Sequence, residues 1–326
     1  MAAGSNSARA TMRAGILCGD GAVRIDEIPV PQPGRGEVRV ALEGCGVCGS
    51  DLPVWQGRPW FRYPRRPGAP GHETWGRIEA LGEGVTEFAE GERVAALSYQ
   101  GYADFDIAAS DRLVRLPPAL ASEPFPGEAL GCAMNVFRRS QIRAGDTVVV
   151  VGLGFLGSVV VQLAARAGAR VIGISRRRTA RDAALAMGAS EVLAFDDSPQ
   201  ERVQELTGGE LCDVVVEAAG VQATLDLAGA LTRVRGRLVI AGYHQDGRRE
   251  VDMQEWNWRG LDVINAHERD PRVYVHGIQL AAAAVAAGEL DPSPLYTHRF
   301  SLPQLGDALA AVAARELPVL KAIVCP

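Results

Sequence analysis

The chain has 326 residues, about twice the roughly 150 of a common domain, so two domains are expected. It is 47% hydrophobic and 22% charged, and its 39 acidic against 34 basic side chains leave a net charge of −5, which argues against a general nucleic-acid or membrane-surface binder. No run approaches the roughly 20 apolar residues of a membrane span, and six irregularly spaced cysteines make no disulfide framework, so a reduced, cytoplasmic setting is the expectation.

In chain order, residues 1–11 are small and polar, without the apolar stretch of a secretory signal, and read as a flexible leader. From Arg13 to about Leu120, short β-like runs (Val38–Leu42, Gly76–Ala80, Arg93–Leu97, Leu113–Leu116) are separated by Gly, Pro and acidic turns, so this part reads as mostly β. After Gly145 strands and helices alternate. The strands are Thr147–Val151, Arg170–Ile174, Val192–Phe195, Asp213–Glu217, Arg237–Ala241 and Leu261–Asn265; the helices between them are Ser158–Ala167, Thr179–Met187 and Gln222–Leu231. Strands apolar on both faces imply a parallel sheet covered by helices on both sides. Two further helices, Val273 to Gly288 and Leu302 to Arg315, precede a strand-like tail, Val319–Val324.

Gly152-Leu153-Gly154-Phe155-Leu156-Gly157 fits GxGxxG and sits after a buried strand, opening a helix. In that position the first glycine permits a tight turn and the second lets the backbone reach a pyrophosphate. The third allows close helix–strand packing at the positive end of the helix. A dinucleotide is the expected ligand. At the end of the second strand, where a carboxylate would bond the ribose 2′-hydroxyl of NAD, the chain has Ser175 followed by Arg176, Arg177 and Arg178. Hydroxyl and guanidinium donors suit a 2′-phosphate, so NADP(H) is favoured over NAD(H); a solvated arginine run is the plainer reading.

Gly44-Cys45-Gly46-Val47-Cys48-Gly49-Ser50-Asp51 is followed by Gly71-His72-Glu73 and, just before the dinucleotide region, by Glu128 and Cys132. Thiolate, imidazole and carboxylate are the donors of a catalytic zinc site with one position open, and the absence of a second Cys-x-x-Cys pair argues against a zinc finger.

The order of these motifs, GVCGSD, then GHE-x-x-G, then GERV and a Rossmann unit, resembles the zinc-dependent medium-chain dehydrogenase/reductase family, which includes alcohol, sorbitol and threonine dehydrogenases. The likeness runs from about Arg13 to Pro326 and implies an α/β protein with a GroES-like, mostly β catalytic domain (12–129 and 268–326) and a Rossmann doubly wound domain (130–267). It implies Cys48 and His72 as zinc ligands and Glu73 as a carboxylate that ligates or exchanges with water. Glu128 matches the remaining ligand, with Cys132 as the alternative one helical turn on. Asp51 resembles a supporting carboxylate, Ser50 the hydroxyl that starts proton transfer, and Lys321 a basic residue near the cofactor pyrophosphate. His298 resembles part of a motif that ties the domains together.

Three features depart from the family pattern. The lobe of four cysteines for a structural zinc is absent around Gly101-Tyr102-Ala103, so one zinc is expected. Pro53 stands where many members carry a proton-relay histidine, and Ser175 replaces the acidic NAD residue. The resemblance implies a zinc-dependent oxidoreductase acting on a small alcohol or carbonyl compound as a homodimer or homotetramer, with Leu261–Asn265 a candidate interface strand. Trp55, Trp60, Phe61, Tyr63 and Trp75 could line the substrate pocket or pack the small domain. The alternatives are a zinc-free NADPH-dependent quinone or enone reductase and a non-catalytic NADP-binding scaffold or redox sensor.

Overall fold

The computed structural model describes residues 10–314 and 318–326; most of the expected leader and Arg315 of the expected final helix lie outside them. The chain opens with an antiparallel hairpin, β1 (Thr11–Gly19) and β2 (Ala22–Pro29), that the sequence reading did not resolve. The next strands are β3 (Glu37–Gly46), β4 (Glu73–Leu81), β5 (Arg93–Ala96), β6 (Phe105–Ala109) and β7 (Leu113–Arg115), with the short helix α1 (Asp51–Trp55) between β3 and β4. The helix α2 (Gly127–Ser140) then leads into the second half. It too escaped the sequence reading, because two glycines at low helix propensity dilute its pattern.

The second half runs β8 (Thr147–Val151), α3 (Phe155–Arg166), β9 (Arg170–Ser175), α4 (Arg178–Ala186), β10 (Glu191–Ala194), α5 (Pro199–Leu206), β11 (Cys212–Glu217), α6 (Gln222–Leu231), β12 (Thr232–Ile240), α7 (Met253–Arg259) and β13 (Asp262–Asn265). The chain closes with α8 (Pro271–Ala286), β14 (Tyr296–Ser301), α9 (Leu305–Ala313) and β15 (Lys321–Cys325). Most of the expected strands stand within a residue or two of their places, but β3 runs on to Gly46, β4 begins at Glu73 and β12 begins at Thr232; the helix expected from Leu302 begins as a short 3-10 turn.

Strands β8–β13 form a six-stranded parallel sheet in the order β10-β9-β8-β11-β12-β13, the doubly wound arrangement in which ligands bind beyond the carboxyl ends of the central strands. Val148–Val151 and Val214–Val216 are fully buried, which is why these strands are unbroken valine runs. The other sheet has seven strands, β14-β15-β3-β4-β5-β7 with β6 also paired to β3.

Register in this second sheet places the site. Gly46 of β3 pairs with Glu73 at the start of β4, and Ile323 of β15 pairs with Gly46, so Cys48, His72–Glu73 and Lys321 converge although they are distant in sequence. Helix α2 is brought against α8 by facing glycines. A Cβ on Gly277 would lie 2.6 Å from Gly131 O, and one on Gly131 would lie 2.9 Å from Ile278 N, so neither position tolerates a side chain. This close crossing places the first turn of α2, with Glu128, beside His72.

Candidate active site

Cys48 and His72–Glu73 flank the ends of adjacent strands, and their metal-binding atoms all lie within 4.8 Å of one another. Ligand atoms 2.0–2.3 Å from a tetrahedral ion sit roughly 3.3–3.8 Å apart, so the set fits a zinc ion after small side-chain adjustment. The His72 ring is oriented from behind. Its Nδ1 lies 2.9 Å from Pro70 O and 3.5 Å from Asp51 Oδ1. A carbonyl only accepts, so Nδ1 carries a proton and Nε2 is the nitrogen that would ligate a metal in exchange for its own, the usual way a second group fixes a ligating imidazole. Glu128 Oε2 lies 3.9 Å from that Nε2.

Asp51 is completely buried and accepts from the Cys48 amide at 3.0 Å and from the Tyr102 hydroxyl at 2.5 Å. Burial raises its pKa, against His72, Tyr102 and the Cys48 amide, which all favour the charged form. Burial alone would lower the pKa of His72, yet Asp51, Cys48 and Glu128 together hold it well above the ordinary imidazole value. These acidic groups draw a positive charge into the centre, and a divalent cation would compete with that proton. Tyr102 was not singled out from the sequence. Its one signal is its place in the loop where a cysteine lobe was sought, and there it is fully buried with its hydroxyl on Asp51.

Lys321, expected near a pyrophosphate, donates to both Glu73 oxygens at 2.7 Å and to Val47 O at 3.2 Å, with its ammonium 4.5 Å from the Phe155 ring centre. It thus links the carboxylate of the ligand set to the glycine-rich turn. Burial would lower its pKa, but Glu73 raises it overall. Burial raises the pKa of Glu128, His72 opposes that, and Cys132 donates to its Oε1 at 3.1 Å. Ser50 is the N-cap of α1 but makes no cap hydrogen bond with its side chain, so that hydroxyl is not spent on the helix.

The dinucleotide turn meets each geometric demand. Gly152 has φ +104°, a Cβ on Gly157 would lie 2.0 Å from Gly152 O, and Gly154 has nothing within 4 Å of its Cβ position. The first and third glycines are thus required by the fold, whereas the second leaves open space at the N-terminus of α3, as a phosphate cradle does. Phe155 is buried against the catalytic side, and Leu156 is partly buried. Ser175 ends β9. Arg176 lies over Phe195 at 4.6 Å and pairs with Asp196 at 3.2 Å, both exposed. Arg177, grouped with it in the sequence reading, donates to Val319 O at 2.6 Å. Arg181, which that reading missed, donates to Ser175 O at 2.8 Å and Arg176 O at 2.7 Å, holding the end of β9.

At the end of β11, Glu217 accepts from the Ala219 and Gly220 amides and from Thr224 at 2.7–2.8 Å. Arg249 donates to His244 Nδ1 at 2.8 Å, so His244 donates through Nε2 to Glu217 at 3.0 Å and ties the loops after β11 and β12 together. His298 has a buried Nδ1 without a hydrogen-bond partner among the described residues and stacks on Phe300 at 6.4 Å. Of the aromatic residues read as a candidate wall, Trp75 is buried in the large core that includes α2, Trp55, Phe61 and Tyr63 pack against a separate cluster around Leu17, Val54 and Tyr102, and Trp60 is exposed. Tyr99, exposed and with its ring centre 6.5 Å from that of His72, was not foreseen.

Comparison with known families agrees with this layout. Residues 34–118 match the alcohol dehydrogenase GroES-like domain and residues 156–283 the zinc-binding dehydrogenase domain. The chain is 30% identical to the uncharacterized zinc-type alcohol dehydrogenase-like protein YphC of Escherichia coli K12, over 93% of this chain and 96% of that protein. It is 31% identical to 5-exo-hydroxycamphor dehydrogenase of Pseudomonas putida, over 94% and 96%. A zinc-binding dehydrogenase from Sinorhizobium meliloti 1021, solved bound to NADP, superposes with a TM-score of 0.85 at 27% identity, covering 98% of this chain and all of that one. The chain belongs to the zinc-dependent medium-chain dehydrogenase/reductase superfamily and is an oxidoreductase of the alcohol dehydrogenase type. Among the described residues, no helix is long and apolar enough to cross a membrane.

Proposed function

We propose that this chain is a zinc-dependent oxidoreductase that moves a hydride between NADP(H) and a secondary alcohol or the corresponding ketone, a polyol, sugar, amino alcohol or specialised-metabolite alcohol. The observation that carries the reading is the convergence of Cys48, His72 and Glu73 donor atoms within 4.8 Å, with Glu128 alongside. Cys48 and His72 would hold one zinc with a carboxylate. Glu128 is the better third ligand, because Glu73 already has the Lys321 ammonium in contact as its counter-charge, whereas Glu128 faces the His72 ring at 3.9 Å and has no ammonium in contact among the described residues. When bound, zinc supplies Lewis acidity toward a substrate oxygen, and the nicotinamide supplies the site that gives or takes the hydride.

The chain's own residues do the rest. Asp51 and Pro70 O hold the His72 ring, and Tyr102 holds Asp51. Ser50 takes the proton of the substrate hydroxyl as it passes its own on to water or cofactor, the route that Pro53 leaves open. Gly154 and the α3 N-terminus receive the pyrophosphate. Ser175 and Arg176 receive the 2′-phosphate, for which Arg176 must exchange its exposed partner Asp196. Six free thiols accord with a cytoplasmic setting. The unpaired edge of β13, with exposed Val263 and the neighbouring Trp258, favours assembly of copies into a dimer or tetramer.

The experiment is metal content per chain by plasma mass spectrometry on protein purified without chelator, for the wild type and Cys48→Ser. About one zinc in the wild type and none in the variant, with NADPH binding retained by both, is expected. Wild-type protein that neither carries nor takes up zinc would overturn the reading.

A further inference from the structure

Glu128 and Cys132 are one helical turn apart on α2 and so project from the same face. Cys132 Sγ donates to Glu128 Oε1 at 3.1 Å, while Oε2 of the same carboxylate lies 3.9 Å from His72 Nε2. One oxygen is occupied from behind and the other faces the imidazole nitrogen that Pro70 O leaves for a metal. We propose that Cys132 is a positioning residue of the metal site: its thiol holds Glu128 as a ligand through Oε2 alone and is not itself a ligand. The inference rests on the zinc reading above and deepens it.

The physical argument is one of coordination number. A carboxylate can grip an ion with one oxygen or two, and a catalytic zinc keeps one of four positions open for substrate or water. If both Glu128 oxygens turned to the ion, the second would add a fifth donor and crowd the water or substrate in that position. A donor fixed on Oε1 prevents the turn, as supporting hydrogen bonds commonly do for ligating groups. The 3.9 Å between Oε2 and His72 Nε2 is near the roughly 3.3 Å separation of two light-atom ligands on a tetrahedral ion, so little movement is needed. Cys132 sits about one turn farther along α2, about 6 Å along its axis, and its hydrogen is committed to the carboxylate.

The test is titration of the metal-free full-length protein with Co²⁺, read by absorption, together with Zn²⁺ affinity by competition with a chromophoric chelator. Wild type, Cys132→Ala and Cys132→Ser are compared. Alanine is the best helix former and keeps α2, and serine keeps a donor. The proposal expects the near-ultraviolet intensity of one thiolate on cobalt in all three proteins. Wild type and Cys132→Ser should share the intense visible bands of a four-coordinate site, while Cys132→Ala shows the weaker bands of five coordination and binds zinc roughly 10–100-fold more weakly. Unchanged bands and affinity in Cys132→Ala would overturn it in favour of plain packing. A loss of thiolate intensity in Cys132→Ser would overturn it by making the thiol a ligand. Absence of any thiolate band in the wild type would instead bring down the zinc reading itself, and this proposal with it.

Discussion

Replacing Lys321 by Met tests the link between the two halves of the site. The ammonium contacts both Glu73 oxygens at 2.7 Å, and the two side chains are only 5% and 1% exposed. Methionine preserves the aliphatic stem while removing the charge, so the loss is electrostatic rather than a cavity. Breaking a buried pair by removing one partner costs about 3–5 kcal/mol because the remaining charge is stranded. The lost contact over Phe155 adds about 0.5–1 kcal/mol. At about 2–4 °C per kcal/mol for domains approaching this size, Tm should fall by roughly 10 °C. The assay is scanning calorimetry with a chelator present, so that no metal ion can stand in for the ammonium. The double variant Glu73→Gln/Lys321→Met should recover most of the loss, a coupling of about 3 kcal/mol. A single variant within about 1 kcal/mol of wild type, or a double variant whose losses simply add, would refute the view that the pair is buried and mutually dependent.

Gly157→Ala should lose cofactor binding and stability together, because its Cβ would meet Gly152 O at 2.0 Å, while Gly154→Ala should unfold like wild type and weaken only NADPH binding; calorimetry and fluorescence titration separate the two. Tyr102→Phe removes the buried hydroxyl on Asp51 and should lower stability by about 1–3 kcal/mol and zinc affinity roughly 10-fold, measured by urea unfolding and chelator competition. For Asp213, burial would raise the pKa, but the Thr147 amide and Arg233, each at 2.8 Å, hold it below the usual carboxylate value. Because the folded pKa is the lower one, its contribution is complete above the unfolded value near 3.9 and disappears as pH falls through the folded value. The urea midpoints of wild type and Asp213→Asn should therefore differ at pH 6 and converge as the medium is acidified past that value; a gap unchanged by acid would contradict the assignment.

The dinucleotide half was legible because its signals are local. A buried valine strand, three glycines at fixed spacing and the following helix are neighbours in the chain, and the physics of a tight turn acts over six residues. The metal motifs were legible for the same reason within each fragment: His72 and Glu73 are adjacent, and Cys48 lies in a glycine-rich loop with Asp51. The hairpin β1–β2 and helix α2 were not read, since β2 alternates between exposed and half-buried positions and α2 depends on its crossing with α8. Among the arginines after Ser175, composition could not say which would lie over Phe195 and which would bond Val319 O.

By itself the sequence determined the two-domain α/β architecture, the dinucleotide turn and the presence of metal-type donors, all properties of short segments whose backbone needs and side-chain chemistry are carried within them. Only the tertiary structure decided how those donors are shared. Lys321 meets Glu73 across 248 residues because β15 pairs beside β3, and this occupies one carboxylate of the site. Glu128 reaches His72 because Gly131 and Gly277 let two helices touch, and Asp51 is held by Tyr102 from a loop 51 residues away. Pairings of this kind arise from sheet order and close packing, which no periodicity along the chain encodes.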